Sequence, residues 1–200
     1  MGKKYSPATA VAARPGMPVF QPRVVDAAMK YIKHRRTVIQ AGAHLGTWAK
    51  RLAEDFYSVF AWEPVPENWN ICNVEVDLPN VTIFFGALGD ERCTTGVNDV
   101  QYKRFSGSQK ITLAPGHIPT PMYQVDKLSF IENLDAMFLD VEGFELNILR
   151  GASETIMRDR PVLVLESNGR YEQKDFDALM KKLRYEVVDR YDRDVILVPV

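Results

Sequence analysis

No apolar run in this chain approaches the roughly 20 residues needed to cross a bilayer, and no membrane partner is expected. Charge of one sign is missing too. Lys and Arg number 25 against 26 Asp and Glu, a formal charge of −1, so no global field draws nucleic acid, which is not an expected partner. Cysteine is scarce. Cys72 and Cys93 lie far apart without metal-ligand spacing, and are expected as free thiols in a reducing cytoplasm. The sequence also lacks a G-x-x-x-x-G-K-[ST] loop, which argues against a nucleoside triphosphate site. No internal repeat or low-complexity tract occurs. No apolar segment follows Lys3 and Lys4 as a secretory leader would require. "MGKKYS" matches the myristoylation pattern with Gly2 and Ser6, but one acyl chain anchors only marginally, and a start codon followed by a small residue is the preferred reading.

What remains is an ordinary globular composition, 46% hydrophobic and 26% charged over 200 residues, enough for one sizeable core. Residues 1–23 carry four prolines and little periodicity, and read as an arm or cap ahead of one domain over 24–200. Val25, Ala28, Met29 and Ile32 have helical spacing, and the basic "KYIKHRR" would suit the negative end of that helix better than a phosphate grip.

Strand-like and helix-like segments then alternate. "TVIQA", "SVFAW", "VTIFF", "AMFLD" and "VLVLE" read as strands. Between them fall a helix with Leu45, Ala49, Leu52 and Phe56 on one face, a helix over Pro66–Glu75 opened by its proline, and one from about Phe144 to Met157. A last helix aligns Phe176, Leu179, Met180 and Leu183, and "YEVVD" and "DVILVPV" should pair antiparallel across a turn at Tyr191–Asp192. Such alternation predicts an α/β fold: a mostly parallel sheet with helices on both faces. Residues 89–124 break the rhythm. They read as an inserted hairpin, suggested by "VQYKRF", with loops that could shape a binding site.

In such a fold ligands bind beyond the carboxyl ends of the strands, where strand order reverses. "VIQAGAHLGTWA" takes the chain from strand to helix across Gly42 and Gly46. Gly42 permits a tight turn and close backbone approach, and Gly46 close packing of the helix, whose first N–H groups would face an anionic group. Glu63, 21 residues after Gly42, ends the next strand, where a carboxylate can accept from both hydroxyls of a ribose. The constellation points to an adenosine-containing cofactor. A dinucleotide would prefer glycine in the middle of G-x-G-x-x-G, whereas His44 stands there and Thr47 at the last position. S-adenosylmethionine, which has no phosphate, suits the wider turn.

The segments "VIQAGAHLG", "AWEPVPENWN", "LDAMFLDVEGFELNILRGA" and "RPVLVLE", with "GALGD" and "YQVDKL" between them, resemble the FkbM family of S-adenosylmethionine-dependent methyltransferases from about Thr37 to Glu166. The resemblance implies a Rossmann-like class I methyltransferase fold with a seven-stranded sheet. It implies that Gly42, Ala43 and Gly46 line the methionine portion, that Glu63 holds the ribose with Pro64 shaping the turn, and that Gly86 and Ala87 lie by the adenine. Asp140 would end its strand at the methyl-transfer mouth. Gln40 stands where such proteins usually carry an acid, yet can still bond an ammonium group. His44 replaces a frequent asparagine and, with Thr47, completes the expected cofactor shell. Phe138 replaces a frequent lysine.

If the methyl acceptor is a hydroxyl, a nearby base is useful. Asp140, Glu142 and Glu166 are the catalytic candidates, all at or just past strand ends. Each has a plainer role. Asp140 could position the cofactor's ammonium group or cap the helix near Phe144, Glu142 could simply favour that helix's N-terminus, and Glu166 could be solvated. Asp140 and Glu142 would share one side of the chain if it stays extended. Paired carboxylates could recruit a divalent cation, but with so few certain ligands no required metal is expected. His117 could reach an acceptor. Trp48, Trp62 and Trp69 read as packing. The leading reading is O-methylation of a sugar or other small molecule. An NAD(P)-dependent oxidoreductase and an inactive binding module are the alternatives.

Overall fold

The computed structural model describes residues 23–97, 111–112, 118–167 and 171–200. Residues 1–22 of the proposed arm, "VQYKRF" and His117 lie outside them, while Arg23, the arm's expected last residue, already opens a helix. In chain order the elements are α1 (Arg23–Ala28), β1 (Thr37–Ala41), α2 (Thr47–Ala53), β2 (Ser58–Glu63), α3 (Pro66–Glu75), β3 (Val81–Phe85), β4 (Ala87–Leu88), β5 (Cys93–Val97), β6 (Ile111–Thr112) and β7 (Ile118–Tyr123). They continue with a 3-10 turn (Val125–Lys127), β8 (Leu134–Leu139), α4 (Glu145–Gly151), α5 (Ser153–Asp159), β9 (Val162–Glu166), α6 (Gln173–Leu183), β10 (Tyr185–Tyr191) and β11 (Asp194–Pro199).

The main sheet has seven strands in the order β10-β11-β9-β8-β1-β2-β3. All neighbours are parallel except at β11, which runs antiparallel to both β9 and β10. Alternation along the strands divides the core. Ile39, Met137, Leu139, Leu163, Leu165 and Leu197 face α4, α5 and α6. Val38, Phe138, Val164 and Ile196 face α1 and α2, while Ala61 meets Cys72 and Val76 of α3. With helices over both faces, the strands can be apolar throughout, and β1 and β9 are buried at every residue.

Four local expectations need correction. Helix α1 stops at Ala28, so the basic tail does not lie at a helix end. Instead Arg35 pairs with Asp55 and Arg36 forks onto Asp135, placing these cations on intramolecular carboxylates. The single helix expected over Phe144–Met157 is two. Asp126 accepts from the N–H groups of Glu154 and Thr155, which lets a new helix start where an unbroken one would leave no free donors. The hairpin turn falls at Asp192–Arg193, one residue late, with Asp192 at φ 55°. Finally, part of the 89–124 segment builds a second sheet, order β4-β7-β5-β6.

Candidate active site

Strand order reverses at β1, which sits between β2 and β8, so the β1–α2 and β8–α4 loops meet over one crevice. They touch directly. Gly42 has φ +83°, and a Cβ there would overlap the Asp140 carbonyl oxygen. Gly46, at φ +86°, leaves room for Cys72 of α3 and for Val76 just past its end. Both glycines are therefore required by the protein's own packing.

Glu63 fastens this loop. Its Oε2 accepts from the His44 N–H at 2.7 Å and its Oε1 from the Val65 N–H at 3.0 Å, with the Asn68 amide 3.5 Å away. The carboxyl is buried, and burial pushes its pKa up to about 7 despite those donors. Gly86 donates to the Glu63 carbonyl and the Pro64 carbonyl accepts from Thr120 of β7, so the loop carrying Gly86 and Ala87 closes on the same corner. Thr47 opens α2.

Two buried polar atoms in this corner have no hydrogen-bond partner among the described residues: the acceptor Gln40 Oε1 and the ring nitrogen His44 Nε2. Gln40 is 2% exposed and donates its Nε2 to the Gly42 carbonyl. Burial lowers the His44 pKa, which favours the neutral ring. An ammonium group and ribose hydroxyls are donors of the kind these atoms require, so the donor set fits S-adenosylmethionine. Phe138, where the family often has lysine, is fully buried and packs edge-on against Trp48 with ring centroids 6.0 Å apart. Trp62 stacks on Phe84 and the Trp69 indole donates to the Ile83 carbonyl, both packing roles.

The three catalytic candidates converge. Asp140, Glu142 and Glu166 each bring one carboxylate oxygen within 4.8 Å of the others. The route differs from the expected one, because the chain is not extended after Asp140. Glu142 sits at φ 59° in a turn, and that turn points its carboxylate back towards Asp140. Nor does Asp140 cap α4, whose first turn has no side-chain cap. Glu145 reaches back instead, its Oε1 accepting from the Val141 and Gly143 N–H groups.

Two members of the cluster were not anticipated. Glu145 looked like an ordinary first-turn acid, yet it is fully buried. Asp194 opens β11 and lies directly beside Glu166. Glu166 in turn stands one residue past the Leu139–Leu165 pair, at the level of Asp140. Three carboxylates thus form a row across adjacent strands, an arrangement that costs stability for like charges. Burial, then the charges of Glu166, Asp194 and Glu145, push Asp140 up to about 7. Burial, then Glu166 and Asp192, do the same for Asp194.

A left-handed glutamate costs about 1–2 kcal/mol, which glycine would relieve at an entropic cost of about 0.5–1 kcal/mol. Glu142→Gly should therefore raise stability by about 1 kcal/mol, lifting the melting temperature by about 2–4 °C in a chain of this size. Differential scanning fluorimetry checks this, and a fall would contradict it.

Strand order, antiparallel tail and crevice define a class I S-adenosylmethionine-dependent methyltransferase fold. Residues 40–190 match the model of the methyltransferase FkbM domain, and the chain belongs to that family. Among solved structures it is similar to methyltransferase FkbM from Methylobacillus flagellatus KT, with TM-score 0.57 and 16% identity over 82% of this chain and 43% of that one. It thus spans under half of that relative. Precorrin-6y C5,15-methyltransferase from Geobacter metallireducens GS-15 gives TM-score 0.56 and 11% identity, covering 90% of this chain and 88% of that chain. Precorrin 8w decarboxylase from Methanobacterium thermoautotrophicum gives 0.53 and 15%, covering 93% of each. No curated protein matches the chain. The family assignment favours the methyltransferase reading over the dinucleotide one. No described helix is long and apolar enough to cross a membrane.

Proposed function

We propose that this protein transfers a methyl group from S-adenosylmethionine to a hydroxyl oxygen of a sugar or another small molecule. The observation that carries the reading is the meeting of Asp140, Glu142 and Glu166 beside the loop that Glu63 fastens. S-adenosylmethionine supplies a methyl group on a positively charged sulfur. Glu63 accepts from the ribose hydroxyls, Gln40 Oε1 from the ammonium group, and Gly42, Ala43 and Gly46 form the wall of the methionine end. Gly86 and Ala87 flank the adenine, and His44 and Thr47 close the loop over it.

Displacement at carbon forms one C–O bond as one C–S bond breaks, with the electron pair returning to sulfur. The hydroxyl must also lose its proton, and the carboxylates at the mouth favour that departure.

Calorimetric titration with S-adenosylhomocysteine should give an affinity in the micromolar range typical of enzyme ligands, with no heat from NADPH. Tritiated methyl from S-adenosylmethionine should then enter hydroxyl-bearing compounds of a cell extract. NADPH binding without S-adenosylhomocysteine uptake would overturn the proposal, and uptake with no transfer to any acceptor would make the chain a binding module.

A further inference from the structure

The turn between β8 and α4 is strained at the residue that completes the carboxylate group. Glu142 at φ 59° and Gly143 at φ 103° follow one another in the left-handed region. For a glutamate that region is unfavourable, because Cβ crowds the following carbonyl oxygen. Glycine at this position would remove the strain, but also the carboxylate that comes within 4.8 Å of the Asp140 and Glu166 oxygens. Strain of this kind persists only where the surrounding structure over-determines it.

Both ends of the turn are tied to regular structure. The Asp140 N–H donates to the Ala41 carbonyl at 3.1 Å, which fixes the start to β1. The Ile148 N–H donates to the Phe144 carbonyl at 3.2 Å, which fixes the end where α4 begins. Between these points Glu145 folds back from the first residue of α4. Its Oε1 accepts from the Val141 N–H and the Gly143 N–H, each at 3.2 Å, one on either side of Glu142. Backbone donors converge on this carboxylate oxygen as they do on a free anion held in a nest. The side chain is fully buried, which strengthens both bonds. Its Oε2 has no hydrogen-bond partner among the described residues, so one oxygen forms the clamp.

We propose that Glu145 is a positioning residue: its Oε1 brackets Glu142 in the left-handed turn and so holds that carboxylate beside Asp140 and Glu166 at the transfer mouth. It acts through Glu142 and not on the reacting atoms. What it needs for this is an acceptor oxygen in the right place, not a charge. Burial already pushes the Glu145 pKa up, so an uncharged group is tolerated there. The consequence for transfer rests on the methyl-transfer reading, whereas the clamp on the turn does not.

Amide hydrogen exchange followed by nuclear magnetic resonance on the full chain reads the clamp directly. The Val141 and Gly143 amides should be protected in the parent and in Glu145→Gln, which keeps the oxygen. Glu145→Leu fills the space without an acceptor and should lose both protections, while the β1 amides keep theirs. Tritiated methyl transfer from S-adenosylmethionine into a cell extract should fall about a hundredfold in Glu145→Leu, as expected for a displaced reacting group. Glu145→Gln should restore most of it, and Glu142→Gly alone should show a similar fall. On the Glu142→Gly background, Glu145→Leu should change transfer by no more than about twofold, whereas a general loss of structure would multiply the two defects. Free exchange of both amides in the parent, loss of their protection in Glu145→Gln, parental transfer in Glu142→Gly, or defects that multiply would each overturn the inference. The first two decide it even if Glu145→Leu does not fold. A parent that protects both amides yet methylates no acceptor supports the clamp and sinks the transfer reading.

Discussion

Glu63→Ala should lower S-adenosylhomocysteine affinity at least about a hundredfold, with the fold intact. Hydrogen bonds to a charged group contribute about 1.5–3 kcal/mol each, and a ribose diol makes two of them. Every 1.4 kcal/mol is tenfold in affinity, so the lower bound already exceeds a hundredfold. The side chain also fastens the loop that forms the methionine wall, through His44 N–H and Val65 N–H. Alanine leaves both donors unpaired, and the wall loosens as the diol loses its acceptor. Glu63→Gln should recover little, because its amide turns a second donor towards donors. The exposed Glu67 on α3 is the control, and Glu67→Ala should bind as the parent does. Calorimetry, with circular dichroism to confirm folding, checks the series. Parental affinity in Glu63→Ala would remove the ribose from this corner.

Glu63 could be read from sequence because its position depends only on local pattern: an apolar strand, its end, and a proline-opened helix starting directly after Val65. The same holds for α3, whose bounds coincide with the expected Pro66–Glu75, and for the apolar face of α6. The acid row was not legible, since it depends on register between distant segments. Nothing local to Asp194 says that it lies beside Glu166, nor to Glu166 that it is level with Asp140. Glu145 was hidden for a different reason. An acid in a first helical turn is ordinary, and only tertiary burial makes this one unusual. The second sheet escaped because β4 and β6 have two residues each and β7 carries Pro119 and Pro121. A proline-bearing run reads as loop or edge. The two prolines are spaced two apart, so their missing N–H groups face one edge, and the five-residue ladder to β5 forms.

Without divalent cations, stability should fall as pH rises from about 5 to 8, the reverse of what paired carboxylates give. Glu63, Asp140 and Asp194 each have a folded pKa of about 7, against 4.5 for a free Glu and 3.8 for a free Asp. Between those limits the native state holds protons that the unfolded chain has released, so the slope of unfolding free energy with pH is negative. The contribution is whole below about pH 4 and gone above about pH 7. Each pKa unit is about 1.4 kcal/mol, but the Asp194 charge also raises Asp140, so these two acids titrate jointly, and the three together should cost about 3 kcal/mol or more. That corresponds to a fall of at least about 6–12 °C in melting temperature.

His44 opposes this. Its lowered pKa makes the neutral form's burial favour higher pH below the ordinary histidine range, but it is one group against three. Asp135 and Asp159, held low by Arg36 and Arg158, act only at more acidic pH. Facing the row, which includes Glu166, are Glu145 and Asp192 as further negative charges and Arg193 as a positive one. Asp194→Asn removes one proton-binding group from the edge of the row and should flatten the profile. Melting curves in EDTA from pH 5 to 8 measure it. A melting temperature that is level or rises across that range would mean the row is open to water and that its charges are not confined as described.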